Sequence, residues 1–401
     1  MDKKLIQKDK SKNKIAMVVY STYPADSRVR REAEALVDFG CAVDIYCLSN
    51  NGDTPQEIVN GVTIYRSRLI KRPRGKLMLG CYHTLFLVET LIKLSLQHLK
   101  KRYRVIHIHN VPDILVLSAL IPWLMQSKII LDMHEITPEF FMRKFHVSEK
   151  HLLVKLLKLL EIIAVRLTSQ VIVATPFLHN IVTARSVIPG KCTTILNLPD
   201  SKFFDAVEKK NYHLNGRFKI VYPGTLSEQH GVDIAIKAVQ LVKTKVDIPV
   251  EFHIYGPTLE HFTLRPLIQK LDLQDNVFLH PLIGLDRLVP ILTTMDVGIV
   301  PKRDGVFIGE AISTKLFEYA AIGLPAVVSK TAGDSLYFDD SMVLFFEPEN
   351  EHDLAQKLIE LIKNQDLRFR LAQTAKHMFE RLNWQIEKAK LLSVYHKIGL
   401  Q

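Results

Sequence analysis

Short, unbroken apolar runs alternate with helix-spaced segments along almost the whole chain, and that alternation leaves few folds open. Ile15–Tyr20 is such a run. A strand reads this way when helices cover both faces of its sheet, because it then has no solvent-facing side. A polar loop, Ser21–Ser27, comes next. Arg28–Phe39 then sets Val29, Ala33, Leu36 and Val37 on one helical face, with Gly40 placed to cap it, and Val43–Leu48 is a second strand. This β-loop-α-β beginning is that of a doubly wound α/β sheet. Further strands are predicted at 105–109, 128–132, 171–174 and 193–196. Helices are predicted at 113–125 and near 76–100 and 149–168. The polar stretch 201–216 reads as a linker. A second series starts at Phe218–Tyr222, with strands at 250–255, 277–279, 297–300, 326–329 and 343–346. Its helices are predicted at 231–243, 264–271, 285–294, 314–322 and 351–363, and two more near 367–381 and 384–397 close the chain.

Length agrees with two domains: 401 residues exceed one ordinary core, and roughly 150–200 residues per domain is the natural division. The net charge of +11 favours an anionic partner. Nucleic acid is a poor fit, because no stacking-aromatic or zinc-finger pattern accompanies the charge. Cys41, Cys47, Cys81 and Cys192 are scattered and read as reduced thiols of a cytoplasmic protein. Residues 1–14 form a basic tail without the apolar centre of a signal peptide. No run reaches the roughly 18 uncharged apolar residues of a membrane span. Two doubly wound domains would place ligands in the cleft between the C-terminal edges of their sheets.

The most informative segment is Val306–Ser329. It reads as loop, helix, tight turn and buried strand, with Ser313 or Thr314 as N-cap, Gly323 ending the helix and Pro325 following as a stop. Glu310 and Glu318 are separated by seven residues, and Lys315 lies between them in the first helical turn, a poor place for a cation unless an anion is near. The pair resembles the E-x7-E motif of GT-B glycosyltransferases, above all retaining family 4, and the stretch is similar to that family's K-x-x-E-Y-x-A-x-G-x-P pattern. Other pieces agree in order: Pro24–Ala33, His107–Asp113, Asp132–Glu135, Asn197–Asp200, Tyr222–Leu226 with Gly231, and Asn383-Trp384.

The resemblance implies two Rossmann-like domains facing across a cleft. An acceptor-side domain would span 15–200 and a nucleotide-sugar-binding domain 217–382. A final helix, 383–401, would cross back to the first. It implies that Glu318 takes the donor's ribose hydroxyls. Glu310 would lie near the sugar, and Gly224, Thr225, Ile312, Ser313, Thr314 and Lys315 would complete the donor site. His134 would touch the transferred sugar, so the expected catalytic set is His134, Glu310 and Lys315. Asp26, Arg28, His109 and Asn110 are expected on the acceptor or phosphate side. No metal or cofactor is expected. The implied reaction is transfer with retention from a nucleotide sugar, the leaving phosphate taking the acceptor's proton. A non-catalytic binding subunit and a sugar-nucleotide epimerase of the same fold stay open as alternatives.

The chain departs from the family at the diphosphate. Many members place an Arg after the glycine equivalent to Gly224 and a Lys or Arg before Gly231; here stand Thr225 and Glu228-Gln229-His230. The substitutes on offer are Lys315, Lys302, Arg303 and Arg28. Arg66–Arg104 also carries eleven Lys or Arg against one acidic residue, Glu89, around an apolar helix, and Lys150–Leu167 is similar. Such helices suit an anionic membrane surface on the cytoplasmic side, and with it a lipid-linked or surface-polysaccharide acceptor. Lys71, Arg72 and Arg74 belong to that set.

Overall fold

The computed structural model describes residues 13–70, 76–200, 203–204, 212, 214, 216–305 and 311–400. The chain divides into two compact units: one runs through Asn197 and takes in the chain from Ile386 onward, and the other is Leu198–Gln385. Glu310, most of the expected linker, and Lys71, Arg72 and Arg74 lie outside the described residues.

The first unit is an eight-stranded sheet. Its strands are β1 (Lys14–Thr22), β2 (Ala42–Ser49), β3 (Gln56–Val59), β4 (Val62–Ile70), β5 (Val105–His109), β6 (Lys128–Met133), β7 (Gln170–Val173) and β8 (Cys192–Thr194), in the order β3-β4-β2-β1-β5-β6-β7-β8. All neighbours pair in parallel except β3 with β4. Ile15 pairs with Val43 on one side and Val105 on the other, so β1 and β5 flank the point where the winding reverses. Ligands of such sheets bind outside the strand C-termini at that point.

The β3–β4 hairpin is absent from the pattern predicted above, although Asn60-Gly61 announces it. Both residues hold positive φ, 50° and 81°, the two-residue turn whose twist matches the strands it joins. Gln56–Val59 is a solvent-facing edge strand and lacks the unbroken apolar run of its buried neighbours. Two further departures surround the site. Asp113–Ala119 is a 3-10 turn, and only α3 (Leu120–Leu124) is α-helical in the predicted 113–125 helix. Two unpredicted helices appear, α4 (Thr137–Phe145) and α6 (Pro176–Arg185), each with Pro in its first turn.

Helix α1 (Ser27–Asp38) is capped by Asp26, which accepts from the Val29 N–H at 3.3 Å. Helices α2 (Lys76–Lys101) and α5 (Leu152–Leu167) lie in the same unit. Helix α2 buries Phe86, Thr90, Leu94 and His98, one stripe at every fourth residue. Glu89 ties it to β4 by accepting the Arg68 N–H, and pairs with Lys93 at 2.6 Å. As one continuous helix, Met78–Lys101 is long and apolar enough to cross a membrane by length and composition. The sequence count missed this because Glu89 and Lys93 interrupt the run, yet they sit on the face that meets β4. Helix α13 (Trp384–Lys397) joins the unit through Glu387, which accepts the Leu196 N–H at 2.9 Å, and Lys388, 2.9 Å from Asp38.

The second unit is a six-stranded, all-parallel sheet: β9 (Phe218–Pro223), β10 (Val250–Gly256), β11 (Val277–Pro281), β12 (Val297–Val300), β13 (Ala326–Ser329) and β14 (Leu344–Phe346), in the order β11-β10-β9-β12-β13-β14. Its winding reverses between β9 and β12. Helices α7 (Val232–Lys243), α8 (His261–Lys270), α9 (Leu285–Thr293), α10 (Thr314–Ile322), α11 (Glu351–Lys363) and α12 (Gln365–Arg381) complete it. Phe218, Ile220, Phe252, Val239 and Leu358, all fully buried, lie in its core.

Candidate active site

In the second unit the strand ends gather Gly224, Lys302, Lys315 and Asp334. Gly224 follows β9 with φ +131°, a conformation side-chain-bearing residues rarely adopt. A Cβ there would meet Lys315 Cε at 2.8 Å and Nζ at 3.1 Å, so the glycine makes the room the lysine occupies. Lys315 Nζ lies 5.0 Å from the centroid of the Tyr222 ring, a cation–π contact. The Tyr222 hydroxyl donates to Thr225 O at 2.7 Å and closes the turn. Burial pushes the Lys315 ammonium below its usual range. Glu318 and Asp334 offset part of that, and Lys302 adds to it. A half-desolvated cation at a strand end is suited to an anion.

Asp334, fully buried in a 3-10 turn after β13, organises this corner. It pairs with Lys302 Nζ at 2.7 Å and accepts from the Ser313 N–H at 2.7 Å and the Ser313 hydroxyl at 2.9 Å. The expected N-cap is thereby corrected: Ser313 occupies the cap position of α10, but its hydroxyl serves Asp334 and caps nothing. The first-turn N–H groups of α10 receive no cap bond from it, which leaves them for an anion. Lys302 also donates to Ala311 O at 2.6 Å, and Arg303 is held by Asp233 at 3.0 and 2.8 Å. Of the substitute cations named for this unit, Lys315 alone makes no ion pair among the described residues. Asp334→Asn keeps an acceptor but removes the charge facing Lys302. It is expected to destabilise the protein by about 1–3 kcal/mol in urea unfolding, with weakened anion binding.

In the first unit a buried polar cluster stands at the C-terminal ends of β1, β5 and β6. Arg28 donates from Nε to Asp132 Oδ2 and from Nη2 to Oδ1, both at 2.9 Å, and from Nη1 to Ile195 O at 2.8 Å. Glu32, one helical turn on, lies 3.2 Å from Arg28 Nε. Burial alone would raise the Asp132 carboxyl, but Arg28, His134 and a hydrogen bond from His109 hold it well below the usual range. Glu32 is pushed well above its range by burial and by Asp132. Arg28, expected on the acceptor or phosphate side, is buried, and its guanidinium is engaged by Asp132, Glu32 and Ile195 O inside the unit.

His134 Nε2 lies 2.9 Å from Asp132 Oδ2, a distance at which an Nε2–H donates to the carboxylate. His109, fully buried, sits with Nδ1 at 3.2 Å from both Asp132 Oδ2 and His134 Nε2. Asn110 is buried as well. Its Oδ1 accepts the His134 N–H at 2.8 Å, and its amide donates to Asp113 Oδ1 at 2.8 Å and Glu135 O at 2.6 Å. His109 and Asn110, expected on the acceptor or phosphate side, both contact His134 and hold it in place. His107 pairs with the Tyr395 hydroxyl at 2.8 Å, and burial beside His109 keeps its ring well below its usual titration range. Glu32, His107, His109 and Asp132 bring ligand-type atoms within 4.8 Å of one another, but Arg28 already supplies the positive charge between the two carboxylates.

Asp334, Tyr395 and the charge role of Asp132 escape the sequence reading. Asp132 carried the one usable signal, a charged residue closing an apolar strand.

Residues 25–197 match the family described as glycosyl transferase 4-like domain, and residues 204–378 match glycosyl transferases group 1. The chain belongs to the group 1 glycosyltransferases. An uncharacterized glycosyltransferase of Methanocaldococcus jannaschii is 22% identical over 203 residues, which are 49% of this chain and 53% of that relative, so the match spans about half of each. Among solved structures, sucrose-phosphate synthase from Thermosynechococcus elongatus superposes with a TM-score of 0.74 at 16% identity, over 96% of this chain and 99% of the other. Anabaena HepE, solved with UDP and glucose, gives 0.69 at 14% identity, over 96% and 99%. These likenesses establish the GT-B fold of the transferase.

Proposed function

We propose that this transferase moves a sugar, with retention at the anomeric carbon and without a metal, from a nucleoside-diphosphate sugar to a lipid-linked or surface-polysaccharide acceptor at the cytoplasmic face of a membrane. The observation that carries the donor half is Lys315, packed over Tyr222 into the space Gly224 leaves at the end of β9. A departing diphosphate gathers charge in the transition state. A fixed ammonium and the N–H groups opening α10 stabilise that charge with no reorganisation. Solved neighbours hold UDP with glucose and UDP-glucose, which supports a nucleotide sugar as donor.

In this reading Glu318 binds the ribose and Glu310 the sugar, while Gly224, Thr225, Ile312, Ser313 and Thr314 line the donor. His134 contributes a hydrogen bond to the transferred sugar, its ring fixed by Asp132. The leaving phosphate accepts the acceptor's proton on the face it departs from. Glu310 and Glu318 act as a donor clamp, not as the paired carboxylates of a glycosidase. The membrane half rests on the apolar and basic faces of α2 and α5.

A thermal-shift screen of nucleotide sugars against wild type and Glu318→Ala tests the donor half. The matching donor is expected to raise the wild-type melting temperature and to leave the variant unmoved, since a ligand at a hundred times its Kd adds about 2.7 kcal/mol. An equal shift in both would remove Glu318 from the site. Donor binding with no transfer to any acceptor would favour the binding-subunit alternative. Retention is read from the anomeric configuration of the product by NMR.

A further inference from the structure

Helix α2 is apolar on two faces, and the sheet uses only one. Opposite the buried Phe86–Thr90–Leu94–His98 stripe, Leu85, Val88, Ile92, Leu96 and Leu99 stand exposed at helical spacing. Only 22% of the helix's most apolar window is buried. Helix α5 repeats this with Leu152, Leu156, Leu159 and Ile163, and Trp123 and Leu124 of α3 are exposed in the same unit. Clustered exposed apolar side chains on a protein surface mark an interaction site.

A cavity of about 750 Å³ opens on that surface, lined by α2, α4 and α5 and by Val111 and Pro112. This volume lies within the roughly 300–1,000 Å³ of small-molecule sites. Its walls are mostly carbon, with Leu79, Phe140, Phe141, Phe145, Leu156 and Leu157 among them. Leu85, Leu153 and Leu156 both line the cavity and stand exposed, so the cavity is continuous with the outer apolar face. The one titratable ring in the lining, His83, is pushed down to about 4 by burial and by Lys144, so it is uncharged at neutral pH. Val111 and Pro112 follow directly on Asn110, and Thr137 follows Glu135 by two residues. The cavity thus reaches the loops that hold His134. Arg143 and Lys144 of α4 and Lys155 and Lys158 of α5 lie on the helices that form it, their sign matched to anionic headgroups.

We propose that this cavity holds the hydrocarbon chain of the acceptor, drawn from an anionic bilayer on which the outer faces of α2 and α5 rest, with the acceptor's polar head toward His134. The inference rests on the lipid-linked acceptor proposed above and adds the site of its tail. The occupant is a chain of methylene or isoprenoid units, because apolar side chains dominate the walls and the few polar groups, His83, Thr84 and Thr137, are too sparse to match a sugar or a peptide backbone.

Cys81 lines the cavity and is exposed, whereas burial pushes Cys41 and Cys47 up to about 11 and Cys192 up to about 12. Cys81 is therefore the thiol a maleimide labels first. Dodecyl phosphate below its micelle concentration is expected to slow Cys81 labelling at least tenfold, and inorganic phosphate to leave it unchanged. Gly80 also lines the cavity, and a Cβ there meets nothing within 4 Å. Gly80→Phe therefore fills the space without a backbone clash and is expected to abolish protection while the nucleotide-sugar thermal shift persists. Equal labelling with dodecyl phosphate and with phosphate would overturn the proposal, as would protection that survives in Gly80→Phe. Protection by an amphipathic Leu/Lys peptide but not by dodecyl phosphate would overturn it in favour of a protein helix. Transfer assays on lipid-linked and free acceptors separate the two readings. Lipid-dependent transfer with unprotected Cys81 sinks the cavity assignment alone, and protected Cys81 with lipid-indifferent transfer sinks the lipid-linked acceptor and with it the assignment of the cavity to the acceptor's chain.

Discussion

Lys315→Ala is expected to lower turnover by about 10²-fold or more while the protein keeps its fold, the loss typical of one electrostatic donor removed from a transition state. The size follows from what surrounds the ammonium. Lys302 is tied to Asp334 and Ala311, and Arg303 to Asp233, so neither moves into the vacated place without breaking a bond that holds the corner together. Lys315→Arg is not expected to rescue, because the space between Gly224 and Tyr222 is already filled by a lysine stem. Gly224→Ala should mimic the loss from the other side by displacing Cε and Nζ. The pH profile gives a second readout. Burial holds the Lys315 ammonium below its ordinary 10.5, so its charge is lost earlier as pH rises. The alkaline limb of kcat/KM in wild type should fall below the usual lysine range and be absent in Lys315→Ala. A near-unchanged rate in the alanine variant would remove Lys315 from the reaction.

Lys315 could be found in the sequence because a motif surrounds it, but its setting could not. Tyr222 and Gly224, Lys302, and Asp334 lie on three different strand-end segments, and only the order β9-β12-β13 makes them neighbours. The strands themselves were legible for a simple reason: buried on both faces, they read as unbroken apolar runs. Gln56–Val59, at the sheet edge, loses that signature. Helices α4 and α6 are short, and their turn chemistry, a Pro in the first turn, competes with periodicity as a signal. The same logic explains Arg28. A basic residue in a loop after a strand suggests a ligand cation, yet its partner Asp132 lies 104 residues on, and nothing local predicts that pair. His109 and Asn110 were read as ligand-facing for the same reason. Strand ends collect both the residues that touch a ligand and those that hold them, and sequence position does not separate the two.

Asp132→Asn is expected to destabilise the first unit by about 3–5 kcal/mol, because it leaves the buried Arg28 guanidinium without its ionised partner. For a unit of this size that is a fall in melting temperature on the order of 10 °C. The neighbouring carboxylate should behave oppositely. Glu32 is held well above its usual range and Asp132 well below, so Asp132 is the carboxyl of the two that keeps its charge to lower pH. The Asp132 contribution is fully present above the ordinary Asp range and is lost as pH falls toward its depressed value. The Glu32 contribution is fully present below the ordinary Glu range and is lost as pH rises through its raised value. Glu32→Gln, which fixes the neutral form, should therefore match or exceed wild-type stability at pH 7, where Asp132→Asn fails. The two variants should still differ at pH 4 and converge only as pH falls below the ordinary Asp value of 3.8 toward the depressed Asp132 value. Urea unfolding at pH 7 and 4, then stepwise to lower pH, reads these points. The consequence for catalysis is indirect: Asp132 also accepts from His134 Nε2, so in Asp132→Asn the ring loses the partner that fixes its tautomer. Equal losses in Asp132→Asn and Glu32→Gln at pH 7 would show that the cluster shares its charge evenly, and that Asp132 does not single out His134.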